Sequence, residues 1–163
     1  MPNVQYFPKG SILFIKDFHH DDNPDNDTNK LLIILHCDDN NVFVIFTKTT
    51  SVVKVPDENI THGCTNSESR GLFFFMFEKD RIIGENNFAF EKRTFVHFIQ
   101  NVKKVEMGYF NDYISKGKLK SKGKLLDIEL DRLLKCMIGS KKITRGIRKI
   151  LEESRKKIIP NKL

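Results

Sequence analysis

Apolar and polar positions alternate in short blocks over the first hundred residues, and the period changes near residue 105. The clearest block runs from Lys30 to Ser51. Leu31–Leu35 is an apolar run of strand length, Asp38-Asp39-Asn40-Asn41 is a polar turn, and Val42–Phe46 is a second β-branched and aromatic run. The pair reads as a β-hairpin. Both runs are too continuous for a sheet with one wet face, so the hairpin is expected to lie centrally and be buried on both sides. It opens into Thr47-Lys48-Thr49-Thr50-Ser51, a basic residue among hydroxyls at a strand end.

The neighbouring segments follow the same logic. Gly10–Phe18 reads as a first strand after the turn residues Pro8 and Gly10, with Leu13, Ile15 and Asp17 on one face and Ile12, Phe14, Lys16 and Phe18 on the other. His19–Asn29 is polar, rich in Asp and aperiodic, so it is expected to be a surface loop. Val52, Val53 and Val55 extend the hairpin as far as Pro56, and residues 57–71 form a second polar loop. Leu72–Phe77 is a strong strand. Arg81–Ile83, Phe88–Phe90 and Thr94–Ile99 are shorter ones, and in the last Phe95 and His97 share a face opposite Val96 and Phe98. About six short strands with close turns and no intervening long helix predict a small antiparallel barrel or sandwich.

After residue 105 the period becomes helical. Met107–Ser115 has room for one or two turns of helix. Ser115–Lys124, rich in Lys, Gly and Ser, is expected to be a flexible linker. Leu126, Leu130, Leu133, Leu134, Met137 and Ile138 repeat at helical spacing, with Gly139 placed to end the helix. Thr144 suits an N-cap, and Ile147, Ile150, Leu151 and Ile158 form one stripe. The expected fold class is mainly β with C-terminal helices: a barrel domain over residues 1–105 and a basic helical extension over 106–163 that packs on it.

Charge sharpens this division. Residues 1–100 hold 10 Lys+Arg against 14 Asp+Glu, whereas residues 101–163 hold 18 against 7, a net of +11. That asymmetry points to a polyanionic partner for the C-terminal third. Lys116, Lys118, Lys120, Lys122 and Lys124 form a ladder suited to phosphates; the competing reading is a solvated linker. Phe73, Phe74, Phe75 and Phe77 read as core rather than as a base-stacking stripe, and Phe88 and Phe90 as aromatics nearer the surface. Cys37, Cys64 and Cys136 lack a spacing logic and read as reduced thiols. Neither His19-His20-Asp21-Asp22 nor the His36-Cys37 and His62-x-Cys64 pairs has the spacing of a zinc site, so no metal and no cofactor is expected. No apolar stretch reaches membrane-spanning length, and the N-terminal residues do not read as a secretory signal, so a cytoplasmic location is expected.

Four features resemble the MazF, Kid and PemK toxin family. They are the strand opened by Gly10-Ser11-Ile12-Leu13, a long polar loop after it, Lys30 at the head of the apolar strand Leu31–Leu35, and a strand ending Thr47-Lys48-Thr49. The resemblance covers residues 10 to 105 and implies an SH3-like barrel that cleaves single-stranded RNA without a metal, within a toxin–antitoxin system. Family members carry Arg-Pro where this chain has Lys30-Leu31, and a catalytic Thr or Ser where it has Thr49. Lys is a point charge without the bidentate fork of Arg. The resemblance thus implies Lys30 and Thr49 as catalytic residues, with His19 and His20 the best-placed titratable groups and Thr47 and Lys48 as RNA contacts. Lys30 and Thr49 are expected to face each other across the hairpin. His36 ends its strand, about 17 Å from the strand start, and is too far away to join them. Implied partners are RNA, an antitoxin protein or RNA, and a second copy of the chain. Two alternatives stand beside this reading: a non-catalytic nucleic-acid-binding module of the same fold, and a structural or regulatory protein whose helices pack on a partner.

Overall fold

The computed structural model describes residues 7–19, 28–40, 42–52 and 60–158. Its strands, in chain order, are β1 (Ser11–Phe18), β2 (Thr28–Cys37), β3 (Phe43–Lys48), β4 (Gly63–Ser67), β5 (Leu72–Phe77), β6 (Thr94–His97), β7 (Val102–Glu106) and β8 (Leu119–Lys124). The helices are α1 (Asn111–Ser115), α2 (Asp127–Ile138) and α3 (Arg145–Lys156), and a 3-10 turn at Met107–Phe110 leads into α1.

The strands form two antiparallel sheets. One has five strands in the order β7-β3-β2-β1-β8, the other three in the order β4-β5-β6. The sheets meet at corners rather than in a continuous ladder. Thr50 and Phe95 exchange both backbone hydrogen bonds at one corner, and Gly84 bridges Leu125 at another. The mainly β class and the C-terminal helices are therefore as expected, but the closed barrel is not. The breaks fall where β3 runs on past Lys48 and where β8 ends, so each sheet keeps its own hydrogen-bonding edges.

The central hairpin is buried on both faces. Ile33, Leu35 and Ile45, with Ile12 of β1, face a core shared with Phe73, Phe75 and Phe77 of β5, Val96 and Phe98, and the apolar stripes of α2 and α3. Leu32, Ile34, Val44 and Phe46 face a second core with Leu13, Ile15 and Phe18, covered by Phe110, Tyr109 and Tyr113 of the 3-10 turn and α1. Phe74, Met76 and Phe95 form a third cluster on the outer side of the smaller sheet. The Phe run is thus core.

Several expectations are corrected. Phe18 lies with Leu13 and Ile15, not with Ile12, because Asp17 takes a left-handed backbone (φ 52°) and the β1–β2 register shifts between Ile15 and Phe18. Residues 63–67 form β4 inside what reads as a polar loop. Residues 85–87 are a 3-10 turn, and Phe88 makes only an isolated bridge to Gly84, so there is no Phe88–Phe90 strand; Phe88 is half-buried, but Phe90 lies in the core. Val52 lies outside any strand, and the positions of Val53, Val55 and Pro56 fall outside the described residues.

The largest correction is Ser115–Lys124. It is not a linker: Leu119–Lys124 is β8, paired along β1 from Ile15↔Leu119 to Ser11↔Lys124. The free backbone edge of β1 overrides a composition poor in strand formers, and lysines suit the outermost strand because they discourage further pairing.

The cysteine reading is corrected too. Cys64 of β4 and Cys136 of α2 form a disulfide across 72 residues of sequence, and Cys37 takes no part in a disulfide. Neighbouring contacts support the junction: Asn66 donates to the Cys136 carbonyl at 2.9 Å, and His62 meets Glu129 of α2 at 3.1 Å. The two long helices form as the spacing predicts. Gly139 stands at the C-cap of α2, and Thr144 at the N-cap position of α3 without a side-chain capping bond. Arg155 of α3 pairs with Asp131 of α2 at 2.8 Å.

Candidate functional site

The site sits where β2 and β3 leave the large sheet beside the β5–β6 corner. Lys30 is the third residue of β2, which starts at Thr28 rather than at Lys30, and Lys48 ends β3. The observed register pairs Leu32 with Lys48, which sets Leu31 rather than Lys30 opposite Thr49. The expected Lys30–Thr49 pairing is therefore off by one. The turn sits one residue further along the chain than assumed, since Asp38 N–H donates to the Phe43 carbonyl, and a bulge between Ile34 and His36 takes back part of that shift. The Lys30 side chain nevertheless reaches back, and its Nζ donates to the Thr49 carbonyl at 3.1 Å.

These residues line a groove of about 460 Å³ at the Thr50–Phe95 corner, where the two sheets meet. Lys30, Lys48, Thr49 and Thr50 form one wall; Phe74, Phe95 and His97 form the other, and Gln100 and Asn101 close one end. Among the described residues no acidic side chain lines it. Lys48 is 8% exposed and Thr49 5%, so both are recessed rather than waving in solvent. The far wall is rigid. The His97 ring stacks on Phe95 at 5.7 Å and 9° and tilts against Phe74. The Asn101 side-chain amide donates to the His97 and Ile99 carbonyls, both at 3.0 Å, and the Asn101 carbonyl accepts from Lys48 N–H. Gln100, between them, holds a left-handed backbone (φ 65°).

The structure distributes the other candidates unevenly. Thr47 is fully buried and its hydroxyl donates to the Lys48 carbonyl, so it presents nothing to the groove. The Thr49 hydroxyl donates to the Leu31 carbonyl at 2.7 Å, which leaves its oxygen as an acceptor only. His19 lies outside the groove, in a neighbouring pocket that Lys48 also lines. His20 falls outside the described residues. The lysine ladder lies on and around β8, two strands away from β2 and so about 10 Å from it. Lys116 pairs with Asp112 at 3.0 Å and Lys118 with Asp17 at 3.4 Å; Lys122 stands over the Phe14 ring, and Lys120 is exposed.

Sequence reasoning overlooked His97 and Asn101 as site residues. The available signal was a lone His within the alternating Thr94–Phe98 strand, followed by the polar pair Gln100-Asn101. At the other end of β2, burial lowers the pKa of His36 and raises that of the Cys37 thiol, with Asp38 and Asp39 also raising the thiol. Cys37 is thereby kept protonated and weakly nucleophilic. Among the described residues no cluster of His, Cys, Asp or Glu is arranged to hold a metal ion, and no helix is long and apolar enough to cross a membrane.

A recessed, acid-free groove with two lysines, one imidazole and aromatic rings can hold a phosphodiester. The ammonium groups meet the phosphate oxygens, and the half-buried His97 imidazole, packed against the buried Phe74 and Phe95 rings, can carry a proton. Comparison with family models, with curated proteins and with solved structures finds no match, so the residues alone carry the functional argument.

Proposed function

We propose that this chain is a metal-independent endoribonuclease that holds single-stranded RNA in the groove at the corner where its two sheets meet. The observation that carries the reading is the convergence of Lys30, Lys48 and Thr49 with His97 in one recessed, acid-free cavity. RNA brings its own nucleophile. Its 2′-hydroxyl attacks the adjacent phosphorus, the 5′-oxygen of the next nucleotide leaves, and the products are a 2′,3′-cyclic phosphate and a 5′-hydroxyl. The protein must accept one proton, return one, and stabilise charge on the phosphorane. In this reading His97 handles protons, Lys30 and Lys48 meet the phosphorane oxygens, and the Thr49 oxygen accepts from the 2′-hydroxyl. The order of β1, a polar segment, β2 with Lys30 near its start, and β3 followed at once by Thr49 supports a PemK/MazF-like, SH3-like origin and a place in a toxin–antitoxin pair.

One observation favours the second reading, a binding module without catalysis. The Thr49 hydroxyl proton is committed to Leu31, and Lys30 lacks the fork of an Arg. One experiment separates the two. Purified protein is incubated with a mixed RNA pool in EDTA, and the ends of the products are mapped. The expected result is 2′,3′-cyclic phosphate ends, lost in Lys30→Ala and in His97→Gln, and kept or increased in Lys30→Arg. RNA that stays intact but is retained, with retention weakened by Lys30→Ala, assigns the binding module. RNA that is neither cleaved nor retained overturns both.

A further inference from the structure

The groove does not end at Lys48. That side chain also lines a smaller pocket of about 140 Å³ on the face of the large sheet that carries Phe18 and Phe46. The register shows which residues stand beside the Lys48 that the two cavities share. Leu32 pairs with Lys48, so Lys30, two residues before Leu32, shares that face of β2. Phe46 pairs with Lys103, so Lys48 and Lys103 share the same face of β3 and β7. Lys30, Lys48 and Lys103 therefore stand in a diagonal row across three adjacent strands, at cross-strand spacings of roughly 7–8 Å.

We infer that this row is the track of an extended polynucleotide strand, which leaves the groove over Lys48 and places its next nucleotide against Lys103 and Tyr109. The inference rests on the groove being an RNA site and adds where the flanking nucleotide goes. Three observations support the path. The second pocket has less than a third of the volume of the groove, so it takes a single group rather than a whole ligand. Its lining among the described residues includes His19, Lys48 and Lys103 and no acid. The half-buried Tyr109 ring is held by stacking on Phe46 at 5.8 Å and 28°, which gives a base a rigid aromatic surface. A separate small anion would need one cationic cluster; a row of cations spaced across strands fits consecutive phosphates of one chain. Because Lys48 is recessed, the strand must be single, since a duplex cannot lower one backbone onto it.

The test uses the full chain and 5′-fluorescein oligouridylates twelve nucleotides long with every 2′-oxygen methylated, so that binding is read without cleavage. Anisotropy is measured over a salt series. Lys103→Met keeps the aliphatic stem and removes the charge. It is expected to weaken binding several-fold and to lower the salt slope by about 0.7, the loss of one single-strand phosphate contact. Lys149→Met, on the exposed surface of α3, is the control and is expected to change neither quantity. A blunt RNA duplex of the same length is expected to compete poorly. Wild-type binding that Lys103→Met leaves unchanged, or that Lys149→Met weakens equally, overturns the track and leaves the groove reading standing. Equal competition by the duplex overturns the single-strand geometry. A wild-type chain that binds no oligomer overturns the groove reading and the track together.

Discussion

Breaking the Cys64–Cys136 bond should cost this fold a large share of its stability. The bond joins β4, an edge strand of the smaller sheet, to α2, which packs against it, and it spans 72 residues of sequence. A cross-link of that span removes conformational freedom from the unfolded chain worth about 4 kcal/mol at room temperature. A domain of this size has roughly 5–15 kcal/mol of stability in total. At about 2–4 °C per kcal/mol, the melting temperature should fall by roughly 8–16 °C. The assay is thermal unfolding followed by circular dichroism, with and without a thiol reductant, and repeated on Cys64→Ala/Cys136→Ala. The double variant should melt with the reduced wild type and show no further response to reductant. A thiol titration of the denatured, unreduced chain should find one reactive group, Cys37. Three reactive thiols, or a melting temperature that reduction leaves in place, would refute the reasoning.

Three further outcomes follow from described contacts. Lys120→Gln/Lys122→Gln should lower the salt slope of RNA binding by about 0.7 per lost contact, for all sequences alike; an unchanged slope would assign these lysines to guarding the outer edge of the sheet. Burial holds the His36 pKa below the ordinary imidazole value, against the raising pull of Asp38, so near and just below pH 6.5 the unfolded chain binds more protons than the folded one. Stability should therefore fall as pH drops from 7.5 to 5.5, and His36→Gln should flatten that fall in urea titrations; an identical fall in the variant would locate the effect elsewhere. At Gly84 a Cβ would stand 2.7 Å from the Lys124 carbonyl oxygen, which is backbone and cannot swing aside. Gly84→Ala should thus cost more than about 1 kcal/mol by urea unfolding, and a neutral result would mean that the Gly84–Leu125 corner is pliable.

The parts legible in the sequence were those where one local rule decides. The doubly buried hairpin follows from two continuous apolar runs, and α2 and α3 follow from helical spacing with Gly139 at a boundary. The parts that were not legible depend on partners distant in sequence. Leu119–Lys124 reads as linker until β1 offers it an edge. Cys64 and Cys136 carry no spacing signal because a strand and a helix, not a knuckle, bring them together. At the site, Lys30, Lys48 and Thr49 were found as a group, but a turn one residue further along, partly offset by a bulge, changed which backbone faces which. His97 was missed because its importance comes from the corner at Thr50 and Phe95, which no local pattern announces.

The place of β8 bears on how the chain is made. β1 emerges before β8 during synthesis, and one of its two edges is reserved for residues 119–124. Roughly 100 residues separate the two, so at about 5–20 residues per second that edge stays open for roughly 5–20 s of each synthesis. Through that interval Ser11–Phe18 is an apolar strand with β2 on one side and an open edge on the other, able to pair with a neighbouring nascent chain. A ribosome that stalls before Leu119 therefore leaves behind a product whose sheet is unfinished on the side its lysines would have shielded.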